Sequence, residues 1–397
     1  MNLQQLVLKP KRERSVILRH PWLFSGAIAS LPKDAKDGDI VAVLSSEKVI
    51  LGYGFFSAKS QIVCRMFHWG TSDEDFFTVK YWESKIRNAE ELRANLVRSE
   101  LTNAYRLIHA EGDFLPGIII DIYNNVAVMQ LLIKGTEHIK EYLINALQNC
   151  GYTNIYMKTK ASSEAIEGIN SPAGWLAGNH HSPEAILENG LKFQVDFIDG
   201  QKTGFFIDQR DSRHLLQKFS SGKTVLNCFS YTGGFSVYAL AGGATQVQSV
   251  DISNTAIDQC NQNVQLNADR YDVQKHQSLA IDCFEYLKTM PENEFDIIVL
   301  DPPAFAKHAR AVDNATRGYK QINMRAFQKI KPGGLLFTFS CSQNISQELF
   351  QKIIFGAAAD VGRNVRIVYQ VHQGADHPIN IYHPEGSYLK GLVLWVS

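Results

Sequence analysis

The sequence lacks most of the features that assign a chain to a class at a glance. It has no net charge, with 40 Lys and Arg against 40 Asp and Glu, so bulk electrostatics names no partner. No apolar run approaches the roughly 18 residues of a membrane-spanning helix. The segment from Met1 to Pro10 lacks the apolar core of a secretory signal, which leads us to expect a cytoplasmic protein with no membrane partner. The six cysteines, at positions 64, 150, 228, 260, 283 and 341, form no CxxC pair and stand at no Cys/His zinc spacing. Neither a disulfide scaffold nor a metal centre is therefore expected. No GxxxxGK[ST] occurs, which disfavours P-loop ATP chemistry, and the dinucleotide fingerprint GxGxxG is missing too.

What is present begins with length. A chain of 397 residues with 45% hydrophobic content is globular and long enough for two or three domains. The balanced charge hides an asymmetry, since residues 1–70 hold ten Lys and Arg against five Asp and Glu. Such a basic segment is either a solvated face or a polyanion-binding module. Within it, Gly38–Leu44, Val49–Phe56 and Gln61–Met66 read as short, closely spaced strands, the pattern of a small β-barrel. A charged helical stretch follows from Ser72 to about Ser99. Strands are expected at Tyr105–His109, Gly117–Tyr123, Val126–Leu132 and Asn154–Met157, with a helix over about 136–149, which together make a small α+β domain. Residues 170–185, with Pro172, Gly174, Gly178 and the surface pair His180–His181, read as a loop-rich linker. The expected division is 1–70, 71–185 and 186–397.

From about residue 190, apolar runs of strand length at Val225–Cys228, Val247–Asp251, Ile297–Asp301 and Leu335–Ser340 alternate with helical stretches. That alternation predicts a mostly parallel, doubly wound, Rossmann-like sheet. The first run leads into Phe229-Ser230-Tyr231-Thr232-Gly233-Gly234, a tight glycine turn opening a helix, where the backbone can approach a ligand closely. About 20 residues on, Asp251-Ile252-Ser253 ends the next strand in a carboxylate, placed to accept the hydroxyls of a ribose. It could instead cap the next helix. Asp282 is either a third acid, near an adenine amino group, or a helix N-cap. Asp301-Pro302-Pro303 forms a rigid loop at the carboxyl edge, where open α/β sheets bind ligands.

Cys341 falls at that same edge, past the strand Leu335–Ser340. Most cysteines are buried and inert, which suits Cys228, Cys260 and Cys283. Cys341 is placed for chemistry. Carbon 5 of a pyrimidine is a poor nucleophile until a thiolate adds at carbon 6, and a methyl donor could then be attacked. Asp301 could hold the ring nitrogen of that adduct. Methylation of an exocyclic amino group needs no such cysteine.

Several blocks in order carry a resemblance. These are Lys11–Ser15, Arg19–Ile28, Arg106–Asp113 with Leu115–Gly117, Gly200–Arg213, the glycine turn, Asp301-Pro302-Pro303, Ser340-Cys341-Ser342 and His383–Gly391. Together they resemble the PUA-containing, S-adenosylmethionine-dependent large-subunit (23S) ribosomal RNA methyltransferases that make 5-methylcytosine. The resemblance implies an N-terminal PUA-like domain, S-adenosylmethionine as cofactor, ribosomal RNA as partner and a homodimer. It implies that Lys202, Phe206 and Arg210 border the cofactor, that Phe229 to Gly234 cradle its methionine end, and that Cys341 is the nucleophile. Lys9, Lys11, Arg12, Arg14 and Arg19 would then contact RNA phosphates, and Trp22, Phe24, Tyr53, Phe55 and Phe56 either pack the barrel or stack on bases. Two other functions stay open on the residues alone: methylation of a guanine or adenine nitrogen on the same fold, and a non-catalytic RNA-binding assembly factor.

Overall fold

The computed structural model of the chain describes residues 3–71, 75–159, 167–306 and 309–397. They form two compact units. The first comprises residues up to Ile186 with Val195–Ile207 and Ala375–Gly386, and the second Leu187–Gln194, Asp208–Gly374 and Ser387–Ser397.

The first unit opens with strands β1 (Gln5–Leu8), β2 (Trp22–Phe24), β3 (Ile28–Ser30), β4 (Ile40–Leu44), β5 (Ile50–Phe56) and β6 (Ile62–Trp69) and the short helix α1 (Arg14–Ile17). They form one sheet in the order β2-β6-β5-β4-β1-β3. All five residues of β4 are buried. Side chains alternate across a strand, so Ile40, Ala42 and Leu44 enter one apolar cluster while Val41 and Val43 enter another. The first of those clusters continues into helix α2 (Val79–Leu96) and strands β7 (Ala104–His109), β8 (Ile118–Tyr123), β9 (Val126–Leu131), β10 (Asn154–Met157) and β11 (Gly174–Ala177). These five strands make a second sheet, β11-β10-β9-β8-β7.

Three local expectations change here. The helix expected from Ser72 starts, among the described residues, at Val79; Ser72 itself lies outside them. The helix over 136–149 is two helices, α3 (Gly135–His138) and α4 (Lys140–Asn149), separated at Ile139, whose side chain is fully buried. The stretch read as loop contains β11, paired antiparallel to β10, with the Trp175 ring 5.4 Å from Tyr156 and 5.8 Å from Phe197. Aromatic packing overrides the turn-rich composition there.

A hairpin of β12 (Glu184–Glu188) and β13 (Leu191–Val195) precedes the second unit's sheet. That sheet holds β14 (Thr224–Cys228), β15 (Gln246–Asp251), β16 (His276–Ala280), β17 (Ile297–Leu300), β18 (Gly334–Ser340), β19 (Val365–Val371) and β20 (Lys390–Val396). Its order is β16-β15-β14-β17-β18-β20-β19. The first five strands are parallel, and β20 inserts antiparallel between β18 and β19. Helices α5 (Arg210–Phe219), α6 (Gly234–Ala241), α7 (Asn254–Gln265), α8 (Cys283–Thr289), α9 (Val312–Lys329) and α10 (Gln347–Val361) complete this unit. The connection order reverses between β14 and β17, the switch point where a doubly wound sheet opens a crevice at its carboxyl edge.

Candidate active site

The carboxyl edge of the second unit's sheet collects most of the residues singled out from the sequence. Three neighbouring strands deliver them: β15 ends in Asp251, β14 feeds the glycine turn, and β17 leads to Asp301. Cys341 follows β18, the next strand over.

The turn after β14 is tightly bent. Phe229 (φ 58°), Tyr231 (φ 46°) and Gly233 (φ 79°) all adopt left-handed backbone conformations. Protein neighbours alone already call for glycine here. A Cβ on Gly233 would sit 2.4 Å from Cys260 Sγ, and one on Gly234 would sit 3.0 Å from Arg213 Cδ. Helix α7 and Arg213 thus pack directly against these two glycines. Arg213 is itself fixed by a buried bidentate ion pair with Glu188, at 2.8 and 2.7 Å. Asn263 of α7 donates to Thr232 O (2.8 Å) and accepts from Gln194 N (2.8 Å), so the hairpin and the turn are bound through one side chain.

Asp251 accepts Tyr231 N at 2.9 Å and Ser253 N at 3.0 Å, which ties its strand end to the glycine turn. Ser253 Oγ caps α7 by accepting Ala256 N, and Ile252 is 70% exposed. Asp282 caps α8 through Oδ1, accepting Phe284 N (2.8 Å) and Glu285 N (3.1 Å). Its role as an N-cap is thus real, and both bonds leave Oδ2 for another donor. Ser230 Oγ is buried with no hydrogen-bond partner among the described residues, as is Gln209 Oε1. Arg210 is buried at the start of α5, 3.5 Å from Glu188. Lys202 and Phe206 belong to the first unit, where the Lys202 ammonium lies 4.2 Å from the Phe206 ring centre.

Around Cys341 the chain is heavily tied. Ser342 Oγ accepts Ala306 N (3.2 Å) and bonds the Tyr319 hydroxyl (3.0 Å), linking the loops that follow β17 and β18. Gln209 Nε2 donates to Asp301 Oδ1 at 3.0 Å. Lys390, 6% exposed on β20, donates to Ser342 O at 2.7 Å. Burial pulls its ammonium down to about 8, while the neighbouring Cys341, as an anion, pushes it back up. By contrast, burial drives the thiols of Cys64 and Cys260 up to about 12, and that of Cys228 well above its ordinary value. Those three are inert packing groups, whereas Cys341 is half-buried.

Sequence reading missed Gln209, Ser342 and Lys390 as site residues. A signal existed for the last, because Lys390 is a lone charge in Leu389-Lys390-Gly391-Leu392-Val393-Leu394, and a buried lysine is rare unless it has a partner. Of the N-terminal basic residues, Lys9, Lys11, Arg12, Arg14 and Arg19 are all exposed. Tyr53, Phe55 and Phe56 are core residues, while Phe24 is 48% exposed.

Comparison with known proteins agrees with this architecture. Residues 6–69 match the model of a PUA-like domain, and residues 166–362 match that of an S-adenosylmethionine-dependent methyltransferase. The chain is 42% identical over 387 residues to ribosomal RNA large subunit methyltransferase I of Aeromonas salmonicida (strain A449), covering 96% of this chain and 97% of that protein. The protein of the same name from Pseudoalteromonas translucida (strain TAC 125) is 43% identical over 390 residues, covering 97% and 98%. Among solved structures, SMU.776, described as a methyltransferase and crystallised with SAH, superposes with a TM-score of 0.85 at 24% identity over 99% of this chain and 100% of that one. That likeness shows the fold.

Proposed function

Since the chain belongs to the ribosomal RNA large subunit methyltransferase I family, whose members pair a PUA-like domain with an S-adenosylmethionine-dependent methyltransferase domain, we propose that it methylates carbon 5 of a cytosine in large-subunit ribosomal RNA through a covalent Cys341 adduct. The observation that carries this reading is the place of Cys341. It follows β18 next to the strand that delivers Asp301, in a loop pinned by Ser342 and Lys390.

The residues at the sheet edge fit the cofactor. Ser230 Oγ and Gln209 Oε1 are buried polar atoms awaiting partners, a costly state that a polar ligand relieves. S-adenosylmethionine supplies an electrophilic methyl group on a sulfonium. Phe229 to Gly234 would hold its methionine end. Asp251, with Ile252 and Ser253, would take its ribose, and Asp282 Oδ2 its adenine amino group. Arg210, Lys202 and Phe206 would border it.

The chain's own groups then act on the base. Cys341 as a thiolate forms a bond to carbon 6, and the displaced electron pair moves to the ring nitrogen. A protonated Asp301 donates its proton there, held in place by Gln209. Carbon 5 takes the methyl group, the donor sulfur keeping the bonding pair and leaving as a neutral thioether; a base removes the carbon 5 proton, expulsion of the Cys341 thiolate restores the ring double bond, and the ring nitrogen returns its proton to Asp301. In the N-terminal region, 1–70 would act as the RNA-binding domain, with Lys9, Lys11, Arg12, Arg14 and Arg19 neutralising phosphates. Residues 71–185 would form the central domain and 186–397 the catalytic one.

Nucleoside mass spectrometry of ribosomal RNA incubated with wild type and Cys341→Ala tests the reading. We expect 5-methylcytosine from the wild type and a loss on the order of a thousandfold or more in the variant. Undiminished product from the variant would overturn covalent catalysis. Methylated purine without methylcytosine would move the target to a base nitrogen.

A further inference from the structure

Lys390 poses an electrostatic problem that the proposed reaction leaves unsolved. Burying an ammonium group costs several kcal/mol unless it is paired. Among the described residues no carboxylate pairs with Lys390, and its hydrogen bond goes to a neutral acceptor, Ser342 O, at 2.7 Å. The ionisable group whose charge reaches it is Cys341. The strand register brings Lys390 to the end of β18, where the Cys341 loop begins. Lys390 is directly opposite Ser340 in the antiparallel β18–β20 pair, one residue before Cys341. Gly391 lets the two strands close, since a Cβ there would meet Phe339 at 2.5 Å and Val371 at 2.4 Å. Tyr319, on α9, is a further titratable group facing the thiol. Burial and the Cys341 charge both raise its hydroxyl, so it stays a neutral phenol. The sulfur is the anionic group whose charge reaches Lys390.

We propose that Lys390 holds the half-buried Cys341 as a thiolate in an ion pair, acting as a positioning residue that keeps the nucleophile ready before RNA arrives. The thiol proton goes to solvent and Lys390 keeps its own. The inference deepens the reading of Cys341 given above and rests on it for its catalytic meaning.

Alkylation of the full-length protein by iodoacetamide across pH 5.5–10, with the Cys341 peptide quantified by mass spectrometry, tests it without RNA or methyl donor. In the wild type the inflection should fall at least about one unit below the ordinary thiol value of about 8.5. In Lys390→Met, which keeps the volume and removes the charge, it should return to about 8.5 or above, with at least a roughly tenfold slower reaction at pH 7. Lys390→Arg should retain the low inflection, which a purely structural role would not require. An inflection that is the same in wild type and Lys390→Met overturns the proposal. So does a wild-type inflection at or above about 8.5, which needs no variant to fold. The two readings separate cleanly. If Cys341→Ala still makes methylcytosine, the nucleophile reading fails while the alkylation result stands. If methylation requires Cys341 but alkylation ignores Lys390, only the ion pair is lost.

Discussion

One buried network of the first unit and the sheet edge of the second treat their polar groups differently. In the first, Arg93 is fully buried and forms a bidentate pair with Asp113 at 2.5 and 2.7 Å, with further bonds to Arg106 O and Asp376 O. Arg106 in turn pairs with Asp121 at 2.7 and 2.9 Å, and Thr203 donates to Asp121 at 2.5 Å. Each ion in this chain of contacts has its complement. In the second unit, Gln209 Oε1, Ser212 Oγ, Asn227 Oδ1, Ser230 Oγ and Thr338 Oγ1 are buried without partners among the described residues, and Lys390 has no carboxylate. A satisfied network fixes a scaffold, while an unsatisfied one is a standing cost that a ligand or a reaction can relieve.

Breaking the satisfied side should have the largest effect. Arg93→Leu leaves Asp113 buried and unpaired, and we expect a loss of about 3–5 kcal/mol. Urea unfolding followed by tryptophan fluorescence reports on it directly, because Trp22, Trp69, Trp82 and Trp175 all lie in the first unit. Adding Asp113→Leu should recover part of the loss but not all, since His109 N also bonds the Asp113 carboxylate. A loss under about 1 kcal/mol would mean that water reaches the pair and that the contrast between the units is weaker than drawn.

On the unsatisfied side the sign should reverse. Ser230→Ala removes a buried hydroxyl that has no partner, so stability should hold or rise slightly. Binding should suffer instead, with calorimetry showing S-adenosylmethionine affinity down about tenfold, or about 1.4 kcal/mol. A drop in melting temperature with unchanged affinity would place Ser230 with the scaffold.

Much of this second unit was legible in the sequence for a physical reason. Parallel strands are covered on both faces and read as continuous apolar runs, so Ile297–Leu300 and Leu335–Ser340 stand out, and the candidate site residues are polar ones at or just beyond the ends of such runs. Asp251, Asp301 and Cys341 were found that way. What stayed hidden depends on pairings far apart in the chain. Lys390 reaches Ser342 across 48 residues because β20 inserts between β18 and β19, and no local pattern announces that insertion. Gln209 precedes a helix and looks like any polar residue there. The glycine turn shows in the sequence, but its packing does not: Cys260 and Arg213 crowd any side chain at Gly233 and Gly234. In the first unit, β11 is masked by glycine and proline composition, and its pairing with β10 and the rings of Tyr156 and Phe197 hold Trp175 in a strand.

The finest test of the contrast is Asp282, which belongs to both sides at once. Its Oδ1 is satisfied by two backbone donors of α8, as in a scaffold. Its Oδ2 is assigned above to the adenine amino group. Asparagine caps a helix as well as aspartate does, so Asp282→Asn keeps the Oδ1 bonds and should leave stability within about 0.5 kcal/mol of wild type, while Asp282→Ala should lose about 1 kcal/mol. The asparagine amide presents a donor where the carboxylate presented an acceptor, and it would face the amino group donor against donor. Affinity for S-adenosylmethionine should therefore fall by about three- to tenfold in Asp282→Asn, with the melting temperature unchanged. If affinity holds in both variants, Asp282 is a cap alone, and the adenine must find its acceptor elsewhere along the sheet edge.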